Sequence, residues 1–338
     1  MAVMPVRAER AVNGRPAPPR PLLSVVLPAH NEADAIGETL ARLAAVESGL
    51  AGRLEVIVIS DGSVDDTYEA ACDALRWFGL EGRVVELATN VGSHAAIRCG
   101  LRYAEGEFVA TMAADGQDPP EALPAMLERF APQLDIVWGR REGRNDRRAT
   151  RLAAACFYRL FRLMTGLDYP PGGLDFFVIR NRVVEAVLRR STRNASLFLV
   201  IYNLGFAQDF LAYDRGARSS GRSSWTLRKR FKLAGDMLTG CSAAPIRTAS
   251  LAGVAAATVG MLVGAVVLVR AAIGGEPVPG WAPVIVINSV MGVAALVAVG
   301  FLGEYVWRIL DEVRGGPTFI EEGQRYVRRV TPRKQREG

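Results

Sequence analysis

The chain has 338 residues, with 41 Lys and Arg against 35 Asp and Glu, a net charge of +6, four cysteines and two histidines. Half of it is hydrophobic and its mean hydropathy is +0.14, high for a soluble protein, so part of the chain is expected in lipid. The scattered Cys72, Cys99, Cys156 and Cys241, with no CxxC and only His30 and His94 beside them, argue against a zinc site and a disulfide framework. The basic balance fits an anionic partner: a nucleic acid, a phosphorylated substrate or an anionic membrane surface.

Residues 1–20 carry Arg, Pro and Gly without an apolar run, which reads as a disordered arm and not a signal peptide. From Leu22 to about Arg141 strands and helices alternate. The strand patterns are 22–29, 53–60, 82–88, 107–114 and 134–139, several of them near-continuous β-branched runs. Helical patterns lie between them at 32–46, 65–78, 93–104 and 119–130, and the alternation predicts a mostly parallel sheet with crossover helices. Asn31 is the expected cap of the first helix, Asp65 and Asp66 place acid at the start of the second, and Pro119 and Pro120 suit the start of the fourth. Further helices are expected at 149–165 and 181–190, with a short strand from GGLDFFVI between them.

The basic segment 213–232 leads into a helix with basic and apolar faces from Trp225 to about Leu238. Two uncharged runs follow, 248–269 and 281–303, each long enough for a bilayer core, which takes roughly 20 apolar residues. Arg and Lys flank the pair on both outer sides, so the positive-inside rule places both flanks and the α/β domain in the cytoplasm. Trp281 and Trp307 suit interfacial anchors, and Gly260 and Gly264 form a GxxxG step for close helix packing. No recognised nucleic-acid motif accompanies the charge, and the cations border the apolar segments, so nucleic acid is not the expected partner.

Chemistry-bearing residues collect where strands end. Pro28 to Glu32 closes the first strand and Asp61-Gly62-Ser63 the second. Carboxylates there can meet a nucleobase or ribose, or simply cap helices, the role expected of Asp65 and Asp66. After the fourth strand comes the acidic turn AADGQDPPE, with Asp115, Gln117 and Asp118 at the strand's end. Hard oxygen ligands at that position suit a divalent cation holding a diphosphate. Ala113 stands where a second carboxylate is expected.

LPAHNEAD, VISDGSVDD, the Asn90-Val91-Gly92 turn, AADGQDPPE, WGRR, GGLDFFVI, RGARSSGRSSW, GEYVWRILDEV and RGGPTF occur in that order. Together they resemble family 2 inverting glycosyltransferases of the GT-A fold, and more narrowly the polyprenyl-phosphate glycosyltransferases, over about residues 22–322. The resemblance implies an α/β GT-A catalytic domain over 21–215 and a basic juxtamembrane segment over 216–247. Beyond them it implies two transmembrane helices within 248–309 and a cytoplasmic tail over 310–338. It implies a nucleotide-sugar donor, UDP-linked by preference with GDP-mannose an alternative, and a polyprenyl phosphate acceptor in the bilayer. Mg2+ or Mn2+ would be the cofactor, and a homotetramer a possible assembly.

Carried over by position, Pro28, Glu32, Asp61, Asn90 and Asp115 would bind the nucleotide, and Asp115 and Gln117 the metal. Asp175, Arg140, Arg215 and Arg218 would be catalytic, with Arg215, Arg218 and Ser223 on the acceptor phosphate. Arg98 and Arg141 could add positive charge near the diphosphate. Two positions depart from the pattern: Ala113 replaces the first acid of the DxD motif, and Phe177 replaces a basic residue. Ala113 also motivates a different class of reading, a catalytically weak membrane scaffold, beside that of a family 2 transferase for another lipid or polysaccharide acceptor.

Overall fold

The computed structural model describes residues 21–50, 52–142, 159, 162–163, 174–190, 196–214, 244–273, 282–314 and 318–328. The chain divides into two compact units, one of 1–152, 170–224 and 316–338, the other of 153–169 and 225–315.

The first unit is an eight-stranded sheet flanked by helices. In chain order its elements are β1 (Leu23–Ala29), α1 (Ala33–Glu47), β2 (Leu54–Ser60), α2 (Thr67–Phe78), β3 (Glu81–Leu87), α3 (Ser93–Tyr103), β4 (Phe108–Thr111) and α4 (Ala122–Glu128). They continue with β5 (Ile136–Glu142), β6 (Phe177–Arg180), α5 (Asn181–Arg189), α6 (Leu197–Tyr202), β7 (Gln208–Asp214) and, after the second unit, β8 (Glu321–Val327). The strand order is β7-β5-β6-β4-β1-β2-β3-β8. β4, β1, β2 and β3 are parallel neighbours, β6 is antiparallel to both β4 and β5, and β7 is parallel to β5. The carboxyl ends of six strands and the amino end of β6 therefore share one rim.

The β-branched runs end up buried because helices cover both faces. Alternate residues Val25, Leu27, Val56 and Val58 meet Ile36, Leu40 and Leu43 of α1 and Ala71, Cys72 and Leu75 of α2 in one apolar cluster. At about 25 cal/mol per Å2 of apolar area, this burial is the main term holding the domain together. The helices expected at 32–46, 65–78, 93–104, 119–130 and 181–190 form with ends shifted by no more than three residues. The helix α6 carried no signal strong enough to predict it.

Two expectations change. Asn31 does not cap α1: the Asp65 carboxylate accepts from Ala33 N–H at 3.2 Å, and the Thr67 hydroxyl accepts from Glu32 N–H at 2.9 Å. The cap is delivered from the next loop, which local sequence cannot reveal. Residues 321–327, read as part of a tail, form the antiparallel edge strand β8 on β3. It is fastened by Tyr103 donating to Glu321 at 2.5 Å and Tyr326 donating to Glu81 at 2.5 Å.

In the second unit, α7 (Ala244–Ala272) and α8 (Ala282–Arg314) contain windows long and apolar enough to cross a membrane, Ile246–Val266 and Val290–Asp311. At 33 residues, α8 is about 50 Å long, more than a hydrocarbon core requires. A Cβ added at Gly260 would sit 3.3 Å from Ile287 Cγ2, so this glycine faces the partner helix, whereas at Gly264 it would meet nothing within 4 Å. The arm 1–20, the helix patterns at 149–165 and 225–238, Trp281, Cys156 and Cys241 lie mostly or wholly outside the described residues.

Candidate functional site

The strand order reverses between β1 and β4, because β2 and β3 lie on one side of β1 and β4 on the other. In open α/β sheets the crevice at such a reversal is the ligand site. Here it is bordered by Pro28 at the end of β1 and by the loops after β1, β2, β3 and β4, which hold Glu32, Asp61, Asn90, Asp115 and Gln117.

Side chains stitch the first three loops together. Asp61, 3% exposed, accepts from Val91 N–H at 2.8 Å and Gly92 N–H at 2.9 Å, so its carboxylate fixes the loop after β3. His30 Nδ1 lies 2.8 Å from the Asp61 carbonyl oxygen. Asn31 N–H donates to Ser63 Oγ at 3.2 Å, and the Asn31 side-chain oxygen accepts from Val64 N–H at 2.9 Å. Asn31 has φ 55°, and among the described residues it is the only non-glycine at positive φ; Asn tolerates that region better than most. Gly62, at φ 55°, has no substitute: a Cβ would stand 2.3 Å from both Asn90 N and Thr89 C. Pro28 and Glu32 are half-buried and Asn90 is exposed at this border. Asp61 thus has a structural task in addition to the nucleoside contact expected of it.

The loop after β4 is held from two sides. From α1, Thr39 Oγ1 donates to Ala114 O at 2.9 Å and Arg42 donates to Gly116 O at 3.0 Å, while the Arg42 guanidinium also pairs with Glu121 at 2.7 Å. Inside the loop, Asp115, 7% exposed, accepts from Gln117 N–H at 3.1 Å, a turn closed by the side chain. Asp118, 1% exposed, accepts from Ala113 N–H at 3.0 Å and from the Tyr213 hydroxyl at 2.9 Å.

On the other half of the rim, Arg141 at the end of β5 pairs with Asp175, just before β6, and its Nε lies 3.4 Å from the Tyr213 hydroxyl oxygen. Burial works against the Arg141 charge, but Asp175 and Tyr213 outweigh it and hold the guanidinium above its ordinary pKa. Burial first, then the Asp118 carboxylate, push the Tyr213 phenol up, so it stays protonated and can donate. Pleating puts Arg140 and Arg141 on opposite faces of β5; Arg140 is exposed, and it is Arg141 that meets Asp175. Arg98 donates to the carbonyl of Arg190 at 3.1 Å, at the end of α5. Arg215, Arg218 and Ser223 lie outside the described residues.

Tyr213 and the two hydrogen bonds that Asp118 accepts were not foreseen. The only available signals were the Tyr closing FLAY and an acid trailing Gln117, and neither pattern points to a contact across 95 positions.

A divalent cation fits this donor set in one way. Among the described residues no three His, Cys, Asp or Glu side chains cluster, and position 113 is Ala. Asp115 would supply one carboxylate to such a cation and Gln117 one amide. Mg2+ is commonly held by one or two carboxylates plus substrate phosphates, so the loop suits a cation arriving with a diphosphate.

Residues 24–188 match the model of the family described as glycosyl transferase family 2. The uncharacterized glycosyltransferase YkcC of Bacillus subtilis is 31% identical over 301 residues, spanning 88% of this chain and 92% of that protein. The undecaprenyl-phosphate 4-deoxy-4-formamido-L-arabinose transferase of Pseudomonas fluorescens is 31% identical over 308 residues, 89% of each chain. Among solved structures, glucosyl-3-phosphoglycerate synthase from Mycobacterium tuberculosis aligns with a TM-score of 0.47 and 20% identity, over 65% of this chain and 80% of that one.

Proposed function

We propose, from the premise that this chain belongs to glycosyl transferase family 2, that it moves a sugar from a nucleotide-sugar donor onto a polyprenyl phosphate at a membrane. The observation that carries this reading is the reach of the similarity to the undecaprenyl-phosphate transferase. A match over 89% of both chains cannot be confined to the sheet, and takes in the apolar helix pair.

The helix pair has a topological consequence. It lies in the chain between β7 and β8, two strands of one sheet, which supports a reading in which the chain crosses a membrane an even number of times between them. With Arg and Lys on both outer flanks, the catalytic domain belongs on the cytoplasmic side. The acceptor's phosphate then presents itself at the face where a nucleotide sugar is made available.

The chemistry follows from charge. A phosphate monoester has its second pKa near 6, so it is largely dianionic at neutral pH and needs little general-base assistance. Its attack in line on the anomeric carbon inverts the sugar, and the protein's task is positioning and relief of repulsion between acceptor and donor phosphates. The loops after β1, β2 and β3 hold the nucleoside, with Pro28, Glu32, Asp61 and Asn90 at its border. Asp115 and Gln117 would hold the Mg2+ or Mn2+ that the donor diphosphate calls for. When bound, the cation stabilises the departing nucleoside diphosphate. Asp175, oriented by Arg141, faces the reacting centre, and Arg215, Arg218 and Ser223 bind the acceptor phosphate. The preferred donor is a UDP-sugar.

The full chain in lipid or detergent, with Mn2+, undecaprenyl phosphate and a panel of UDP-sugars and GDP-mannose, is expected to yield a lipid-linked sugar from one donor. Asp115→Ala should abolish that product while the protein stays folded. No transfer from any donor would overturn the assignment, and near-normal turnover by Asp115→Ala would remove Asp115 from the metal site.

A further inference from the structure

We propose that Asp118 and Tyr213 are positioning residues that lock the diphosphate loop to Asp175, through a hydrogen-bonded relay Ala113–Asp118–Tyr213–Arg141–Asp175. The proposal rests on the sugar-transfer reading for its catalytic meaning, but the relay itself is a matter of geometry.

Asp118 is almost completely buried, and a buried carboxylate is costly unless hydrogen-bonded. Its two oxygens are engaged by donors from different parts of the fold, Ala113 N–H at 3.0 Å within the loop and the Tyr213 hydroxyl at 2.9 Å on β7. The first bond closes a ring around residues 113–118 and so sets where Asp115 and Gln117 stand. The second ties that ring to the far half of the sheet. Tyr213 donates its single proton to Asp118, which leaves its oxygen to accept from Arg141 Nε at 3.4 Å. Arg141 then spends another N–H on Asp175. Donors and acceptors alternate along the whole chain.

Packing holds the tyrosine in this role. Its ring meets Phe176 edge-on, with centroids 5.2 Å apart and planes at 82°. Gly139 makes room for both rings: a Cβ there would stand 2.6 Å from Phe176 Cδ1 and 2.9 Å from Tyr213 Cε1. Tyr213 is 7% exposed, so its hydroxyl has little access to water as a substitute partner.

The relay also explains how the loop stays organised with Ala at 113. The bond from position 113 to Asp118 is made by the main-chain N–H and so does not depend on the side chain there, which leaves the loop shaped by the protein before any ligand arrives. Asp118 serves as the latch and not as a second metal ligand.

Three measurements on the full-length protein test this. In turnover with the active donor, Tyr213→Phe should lower kcat on the order of tenfold to a hundredfold, as a small misplacement of reacting groups does. KM for undecaprenyl phosphate should stay within about twofold, the pattern of a group felt mainly in the transition state. Without turnover, the thermal shift produced by UDP with Mn2+ should shrink in both Tyr213→Phe and Asp118→Asn. Also without turnover, the melting losses of Asp118→Asn and Asp175→Asn should be clearly non-additive in the double variant, although the two side chains share no direct bond. Additive losses with an unchanged UDP and Mn2+ shift would overturn the relay. If the wild type transfers no sugar but the losses are non-additive, the relay stands and the proposed reaction falls.

Discussion

The two halves of the rim are built on different principles. Under β1, β2 and β3, polar side chains bind backbone: Asp61 takes Val91 and Gly92 N–H, Asp65 takes Ala33 N–H, and Asn31 takes Val64 N–H. Under β5, β6 and β7, side chains bind side chains: Arg141 to Asp175 and Tyr213, and Tyr213 to Asp118. The first half fixes the shape of the main chain, which suits a ligand gripped by loops. The second half fixes the direction of charges, which suits a reacting centre. Damage to the first should therefore appear mainly as lost stability, and damage to the second mainly as lost turnover.

The sharpest test of the backbone-built half is Gly62→Ala. Positive φ and a contact 2.3 Å from main-chain atoms give the methyl group no escape. We expect a loss of roughly 3 kcal/mol or more in denaturant unfolding, together with activity. A loss under about 1 kcal/mol would show that the loop can open. Asp61→Asn comes next, since an amide can accept from only one of the two N–H groups now served. The expected loss is about 2 kcal/mol, with weakened UDP binding by calorimetry.

His94 sharpens the comparison through pH. It opens α3 behind the Asn90–Gly92 turn, packed edge-on against Phe198 at 4.6 Å, and its Nδ1 has no hydrogen-bond partner among the described residues. Burial, then the nearby Arg98, lower its pKa to about 4. The unfolded chain, with an ordinary His near 6.5, binds the proton first on acidification. Stability should therefore fall as pH drops from about 6.5 to about 4, by at most about 1.4 kcal/mol per pH unit, and be unaffected by this group above that window. His94→Gln should flatten that part of the stability profile relative to the wild type; identical profiles would place the proton elsewhere. The smallest effect is expected for Arg42→Ala, which breaks a half-exposed pair with Glu121 and a bond to Gly116 O. It should cost about 1 kcal/mol or less in stability while raising the Mn2+ needed for turnover.

The parallel half was legible in the sequence because its signals are local. β-branched runs, helix periods and the Pro28, Asp61 and Asp115 turns each sit within a dozen residues, and covering helices convert them directly into buried strands and a rim of loops. The helix pair was legible for the same reason, as two uncharged runs of bilayer length. The strand β8 was not: EEGQRYV has no apolar alternation, and only the open edge of β3 makes it a strand. Arg140 and Arg141 could not be told apart either, because which face of β5 points at Asp175 depends on the register with β6 and β7.

Reading along the chain is enough to recognise a family 2 glycosyltransferase with an α/β sheet, an acidic loop missing one carboxylate, and an apolar pair at the end. Patterning and short motifs suffice for these, since they depend on neighbours along the chain. It took the folded arrangement to reveal that Asp118 latches the loop, that Tyr213 joins it to Arg141 and Asp175, and that Asp65 caps a helix from the next loop. Each of those bonds joins residues 5 to 95 positions apart, and their partners are chosen by strand order and pleat.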